Sequence, residues 1–332
     1  MPRVSAFLPV SILIDMPENK RNVVVVLVAL AALCVAMTMV AAAWSGQNPS
    51  PAKTAQTSAN EAPESSTKLT AATRPREAAT TRAGSAFSSA ATENALLRHN
   101  LNWAFGGKQQ RGWSLYLPLI NQLIGTESEA GTTEFASALA RWQTGAGLSS
   151  ADGVLDDETL YKMVSVWQSR RLKDRAYPRA DQLLTAPASD FWDATRAPEL
   201  RQVEIDAYMA YKRMVAEAAK DPSLGLLVTS TGEIDASEKF LKIVSSFRSR
   251  EYQQQLRQQS PHSGRAGLAV NSPHFTGCAL DLYVGGEPVE TKDANRAIQV
   301  QTPVYKWLVR NAQRFGFYPY YYEPWHWEYR GH

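Results

Sequence analysis

Two short stretches concentrate the side chains best suited to chemistry: SPHFTGCALDLYV at residues 272–284 and YYYEPWHWEY at residues 320–329. Four of the five histidines lie in this half of the chain; His332 ends it and His262 falls outside both stretches, so His274 and His326 stand out. A catalytic Zn²⁺ takes three protein ligands from His, Asp or Glu and keeps a fourth position for water. His274, Asp281 and His326 meet that demand, and Glu323 is available as a general base rather than a ligand. Spacing alone leaves a second reading open, in which Asp281 is a cap or a buried structural partner and His326 merely packs among tryptophans.

Local sequence says which side chains face each other. Residues 278–284 read as a strand, where alternate side chains share a face. Cys278, Leu280, Leu282 and Val284 then share the apolar side, while Ala279, Asp281 and Tyr283 share the other. That parity makes Cys278 a small buried hydrophobe rather than a soft ligand. Gly277 allows close approach of the chain just after His274. Pro324 holds Glu323 extended, close along the loop to His326.

The two stretches resemble the signatures of the VanY-type D-alanyl-D-alanine carboxypeptidases, in the wider group of LAS metallopeptidases. The patterns are Ser-x-His-x-x-Gly-x-Ala-x-Asp, met by Ser272, His274, Gly277, Ala279 and Asp281, and Glu-Pro-Trp-His-Trp, met by Glu323 through Trp327. An aromatic-Arg-Ser run followed by Gln appears as Phe247, Arg248, Ser249 and Gln253, and a Trp-Leu-x-x-Asn-Ala-x-x-Phe-Gly-Phe helix appears at residues 307–317. The resemblance spans residues 178–332. It implies Zn²⁺ held by His274, Asp281 and His326, with Glu323 as catalytic base. It also implies that Arg248 stabilises the oxyanion or holds a substrate carboxylate, with Arg250 as runner-up for that role. Ser272 and Gln253 are weaker candidates for substrate hydrogen bonds, with local turn bonding as the alternative.

These residues need a scaffold, and apolar periodicity supplies one. A helix is expected over residues 199–220, with Tyr208, Tyr211, Val215 and Ala218 on one face before Asp221-Pro222 stops it. In the helix at 307–317, Leu308, Ala312 and Phe315 face the core and Gly316 sits just past the end. Residues 284–303 are expected to shape the pocket. The domain at 178–332 therefore reads as α+β, of the LAS/Hedgehog-like kind that the resemblance implies.

Upstream, after a basic, polar stretch at 170–179, residues 96–170 read as a small three-helix module. Phe135, Leu139 and Trp142 follow a Thr132 or Thr133 cap, and Leu160, Met163 and Trp167 follow Asp156. Trp142-Gln143, Gly147-Leu148, Asp152-Gly153 and Thr159 resemble the repeat of the type 1 peptidoglycan-binding domain. The resemblance implies wall binding, while Trp142, Leu148, Leu155 and Leu160 read as core rather than ligand contacts.

Residues 44–95 are rich in Ala, Thr, Ser and Pro and are expected to form a disordered linker without a core, roughly 40 Å end to end as a flexible coil. Residues 23–43 carry no charge, long enough for one transmembrane helix, with a signal cleaved after the small residues Ala41, Ala42 and Ala43 as the alternative. Lys20 and Arg21 before it place the N-terminus, residues 1–22, in the cytoplasm and the rest outside. Met16 opens a conventional signal-anchor leader, so residues 1–15 are set aside. Of the two cysteines, Cys34 falls in that span and cannot pair with Cys278. A net charge of +3, with no basic stripe bearing interleaved aromatics, gives no nucleic-acid signature.

Together these readings describe a single-pass protein of the cell (inner) membrane with an extracytoplasmic, periplasmic catalytic domain and peptidoglycan as partner. The implied reaction is zinc-dependent removal of terminal D-alanine from stem peptides. An L,D-carboxypeptidase or a peptidoglycan endopeptidase would use the same machinery, and an inactive wall-binding protein is the third reading.

Overall fold

A four-stranded antiparallel sheet carries Asp281 and His326. It appears in a computed structural model that describes residues 87–259 and 271–331. The expected span at 23–43, residues 44–86 of the expected linker, Cys34 and His262 lie outside the described residues. Among the described residues no helix is long and apolar enough to cross a membrane.

The first helix among the described residues, α1 (Ser88–Asn100), begins inside the stretch read as linker. Its composition is poor in large apolar residues, but Ala90, Ala91 and Asn94 are buried. Small side chains allow close packing, and Asn94 binds the turn at Gly153 and Leu155 through both ends of its amide. A hairpin of β1 (Asn102–Phe105) and β2 (Lys108–Arg111), unanticipated from periodicity, precedes α2 (Leu117–Ile124).

Helices α3 (Thr133–Gly145) and α4 (Asp157–Ser169) start where capping chemistry places them. Thr132 accepts from the Phe135 amide and Asp156 from the Thr159 amide, satisfying donors that a helix leaves open at its start. Gln143 donates to Val154 and Thr159 and accepts from the Gly153 amide, so the Trp-Gln, Asp-Gly and Thr positions of the motif form one internal clasp. Leu155 and Leu160 are wholly buried, and Trp142 and Leu148 half-buried.

Beyond a short pair, β3 (Leu183–Thr185) with β4 (Gln202–Glu204), α5 spans Ile205–Ala218. It starts later than apolar spacing suggests because the Glu204 carboxylate caps the Ala207 amide and 202–204 are drawn into pairing with β3. Tyr208, Tyr211, Val215 and Ala218 are buried, as the periodicity requires.

The main sheet has the order β5 (Ile243–Ser245), β6 (Ala279–Leu282), β8 (His326–Tyr329), β7 (Phe317–Pro319). Between β5 and β6 runs α6 (Arg250–Gln259); between β6 and β7 run α7 (Asp293–Gln301) and α8 (Pro303–Asn311). One face carries Leu280, Leu282 and Trp327 into the core, where Trp327 meets Tyr305 edge-on. The other carries polar side chains. Residues 102–171 and the sheet belong to one compact unit. The run Tyr320–Tyr322 is their junction: Phe105, Tyr116 and Trp167 all lie 5.0–5.6 Å from Tyr321 by ring centroid.

Candidate metal centre

Antiparallel register builds half of the centre directly. Asp281 on β6 pairs with His326 on β8, and cross-strand partners present their side chains side by side. The third group comes from a 3₁₀ turn, Pro273–Thr276, capped by Ser272, whose hydroxyl accepts the His274 amide at 3.3 Å. Gly277 ends that turn at φ +73°, and a Cβ there would meet Glu204 N at 3.0 Å. The left-handed turn and the close approach to β4 both call for glycine.

His274, Asp281 and His326 are each no more than 3% exposed, and one ligand atom from each lies within 4.8 Å of the others. Asp281 Oδ1 is 3.3 Å from His274 Nε2 and 2.9 Å from His326 Nδ1. Two imidazoles and a carboxylate in this arrangement could hold a metal ion.

The far nitrogen of each ring is held differently. His274 Nδ1 lies 2.7 Å from the carbonyl oxygen of Ser246. His326 Nε2 lies 3.2 Å from Glu328 Oε1, a carboxylate with no exposure at all. Glu328 follows His326 by two residues on one strand, so both share a face. Its oxygens accept from Arg171 Nε at 3.0 Å, Arg171 Nη2 at 2.5 Å and the Leu172 amide at 2.6 Å. A buried carboxylate or carbonyl behind a ligating histidine fixes its tautomer and ring orientation.

Electrostatics follow these contacts. Burial pushes the His274 ring down to about 4, and the Arg248 charge adds to that. Burial also opposes charge on His326, but Asp281 and Glu328 overcome it and raise the ring to about 9. Asp281 is held well below the usual carboxylate range by the two histidines despite its burial. Burial would raise Glu328 too, yet His326 and Arg171 bring it down to about 2.

A cavity of about 410 Å³ opens on the cluster. Glu323 lines it, 8% exposed, with a carboxylate that accepts no hydrogen bond from a described residue; burial pushes it up to about 7. Arg248 lines it as well, donating from Nε to Ser245 Oγ and from Nη2 to Asp281 Oδ2, both at 3.0 Å. Ser272 is part of the wall, and of the 284–303 segment Val289 and Thr291 contribute.

Gln253 and Arg250 stand elsewhere. Both line a separate cavity with Arg257 and Phe275, sharing Asn271 with the first, and the Arg250 guanidinium lies 5.5 Å from the Tyr177 ring centroid. One turn of α6 turns these side chains away from the metal-ligand cluster. Cys278 is half-buried rather than sealed in the core, because β6 starts only at Ala279 and the thiol turns toward the Thr276 carbonyl at 3.7 Å. Burial pushes that thiol up to about 12.

Residues 201–332 match the VanY family, D-alanyl-D-alanine carboxypeptidase. No curated protein matches the chain. All the cluster residues, Glu323 and Arg248 fall within the VanY match, which supports a D-alanyl-D-alanine carboxypeptidase-like peptidase activity for this part of the chain. Arg171, Arg175 and Arg196 line the same cavity from outside it. Sequence reasoning missed them and Glu328. Strand parity from His326 would have found Glu328, whereas nothing in spacing links Arg171 to a partner 157 residues away.

Proposed function

We propose that the chain is a zinc-dependent carboxypeptidase that removes the terminal D-alanine of peptidoglycan stem peptides. One observation carries the reading: in the region that matches VanY, the His274, Asp281 and His326 donor atoms converge on a cavity also lined by a buried carboxylate, Glu323, that accepts no hydrogen bond from a described residue. The donor set, two imidazole nitrogens and one carboxylate oxygen with each ring bonded from behind, fits Zn²⁺ better than the oxygen-seeking divalent ions.

When bound, Zn²⁺ supplies Lewis acidity, acidifying water and polarising a carbonyl oxygen. The chain's own groups do the rest. Glu323, with a carboxyl poised near neutral pH, takes a proton from the attacking water and returns it to the leaving amine. Arg248, braced on Ser245 and Asp281, holds a guanidinium at the cavity wall where charge develops on the carbonyl oxygen.

The reading extends to place. Residues 23–43 would anchor the protein in the cell membrane with the catalytic part outside, and residues 96–170 would bring it to the wall, raising effective substrate concentration.

Incubating the purified protein with defined stem tetrapeptides, pentapeptides and cross-linked dimers, with and without chelator, tests this. Free D-alanine from the pentapeptide, lost with chelator and restored by Zn²⁺, is expected. Glu323→Gln should lower kcat by about 10²–10⁴-fold. Undiminished cleavage by Glu323→Gln, or release only from tetrapeptides or dimers, would sink the assignment.

A further inference from the structure

Among the described residues four arginines line the cavity: Arg171, Arg175, Arg196 and Arg248. Three have work to do inside the protein. Arg171 clasps Glu328, Arg196 donates to the carbonyls of Leu200 and Val244, and Arg248 binds Ser245 and Asp281. Arg175 makes no hydrogen bond to any described residue. Its Nη1 is buried without a hydrogen-bond partner, and the counter-charge it reaches among the described residues, Glu328 Oε1 at 3.8 Å, is already bonded by Arg171 and His326.

Such a guanidinium is costly to keep. Its side chain is only 17% exposed, and burial lowers its pKa, with the Glu328 charge opposing that shift and the like charge of Arg171 adding to it. A desolvated donor left unsatisfied forfeits the hydration it had in water, and a charged one forfeits more. The charge around it is also unbalanced: among the described residues four arginines line the cavity with two carboxylates, Asp281 and Glu323, and Glu328 behind the wall adds only a third. A missing anion at Arg175 would settle both counts. The planar fork matches a carboxylate in bidentate geometry, which a lysine would not.

We infer that Arg175 is the receptor for a carboxylate of the substrate. The inference rests on the peptidase reading above and deepens it, since the ligand class becomes an acidic peptide. The receptor is delivered by the segment after α4, upstream of residues 201–332, so a feature of substrate choice lies outside the matched region. Two substrate groups carry this chemistry: the C-terminal carboxylate next to the scissile bond, and the free carboxylate of the glutamate residue within the stem.

Three peptides separate the sources: a stem pentapeptide ending in D-Ala-D-Ala, its C-terminal amide, and its form amidated only at the glutamate. Calorimetry measures their binding to full-length protein carrying Glu323→Gln, with and without Arg175→Gln or Arg175→Lys; kcat and KM are measured for the Arg175 variants alone. Losing a charge-assisted bidentate contact of roughly 1.5–3 kcal/mol corresponds to about 10–150-fold in Kd. Arg175→Gln is expected to lose that factor for the free acid, mainly in KM, and Arg175→Lys to recover part of it. Amidating the recognised carboxylate should cost the parent the same factor and cost Arg175→Gln nothing further. An unchanged Kd for all three peptides in Arg175→Gln, or an equal loss for all three, overturns the receptor. Arg175-dependent binding without cleavage of any peptide by the unmodified protein would instead overturn the peptidase reading and leave the receptor standing.

Discussion

The two histidines of the cluster are equally buried and meet the same carboxylate oxygen, yet they are held from opposite kinds of support. His274 leans on a backbone carbonyl, Ser246 O, next to β5. His326 leans on Glu328, whose own partners come from a segment more than 150 residues away in sequence. One flank is therefore as rigid as the sheet itself, while the other depends on how residues 102–175 pack. Arg171 serves both purposes there, since its guanidinium lies 3.9 Å over the Tyr320 ring while clasping Glu328. Position of a ligand can be fixed by local pairing or by a long-range side-chain relay, and only the second can be altered without touching the sheet.

Removing the group both flanks share should have the largest effect. Asp281→Ala deletes a donor and leaves Arg248 and both rings without their common partner. Metal affinity, measured by competition with a chromophoric chelator, is expected to fall by more than the roughly 100-fold that losing an outer partner costs. Cleavage should fall with it. The flanks themselves come next. Glu328→Gln should weaken Zn²⁺ binding by about 10–100-fold and disturb the d-d spectrum of the Co²⁺ form. Ser246→Ala keeps the carbonyl that His274 uses and removes only the hydroxyl that bonds Gln202 O, so its metal affinity should stay within about threefold. Equal losses in these two variants would erase the contrast.

Titration offers a finer probe of the same contrast. His326, raised to about 9, holds its proton at neutral pH, whereas His274, lowered to about 4, does not. An incoming metal must then displace one proton, from His326 alone. Because the raised group loses its competing proton only as pH climbs toward 9, Zn²⁺ affinity should rise about tenfold per pH unit between 6 and 8. Calorimetry at pH 8, above the value of about 7 to which burial raises Glu323, in buffers of different ionisation enthalpy should count one proton released, and a count of two or none would show that the rings are not so divided.

Much of the near side of this arrangement was legible in the residues. Caps at Thr132 and Asp156, the apolar face of α5 and the strand parity that turns Asp281 from Leu280 and Leu282 are local effects, set by neighbours a few positions away. The convergence of His274, Asp281 and His326 was reachable because each sits in a short, chemically dense stretch. What escaped was long-range or compositionally disguised. A helix of small residues at 88–100 resembles a linker until Asn94 finds Gly153. A basic run at 170–179 resembles a solvated connector until Arg171 meets Glu328. Arg250 and Gln253 carried plausible chemistry at suitable spacing from Arg248, but α6 points them into another cavity, and helix rotation is invisible until its packing partners are known.

The smallest effect tests whether the His274 flank is as stiff as its backbone support implies. Gly277 O accepts the Glu204 amide at 3.2 Å and its own amide donates to His274 O at 3.2 Å, so the residue fastens the ligand-bearing turn to β4. Gly277→Ala places a methyl 3.0 Å from both Glu204 N and the Leu183 side chain, at a φ of +73° that an L-residue occupies at a cost of about 1–2 kcal/mol. Thermal unfolding should shift down by several degrees, in line with a loss of that size. If the turn yields as a unit, Zn²⁺ affinity will drop in step with stability. A stiff sheet-bound flank predicts the other result: a lower Tm with metal affinity nearly intact, because β5 and Ser246 O still hold His274 from behind.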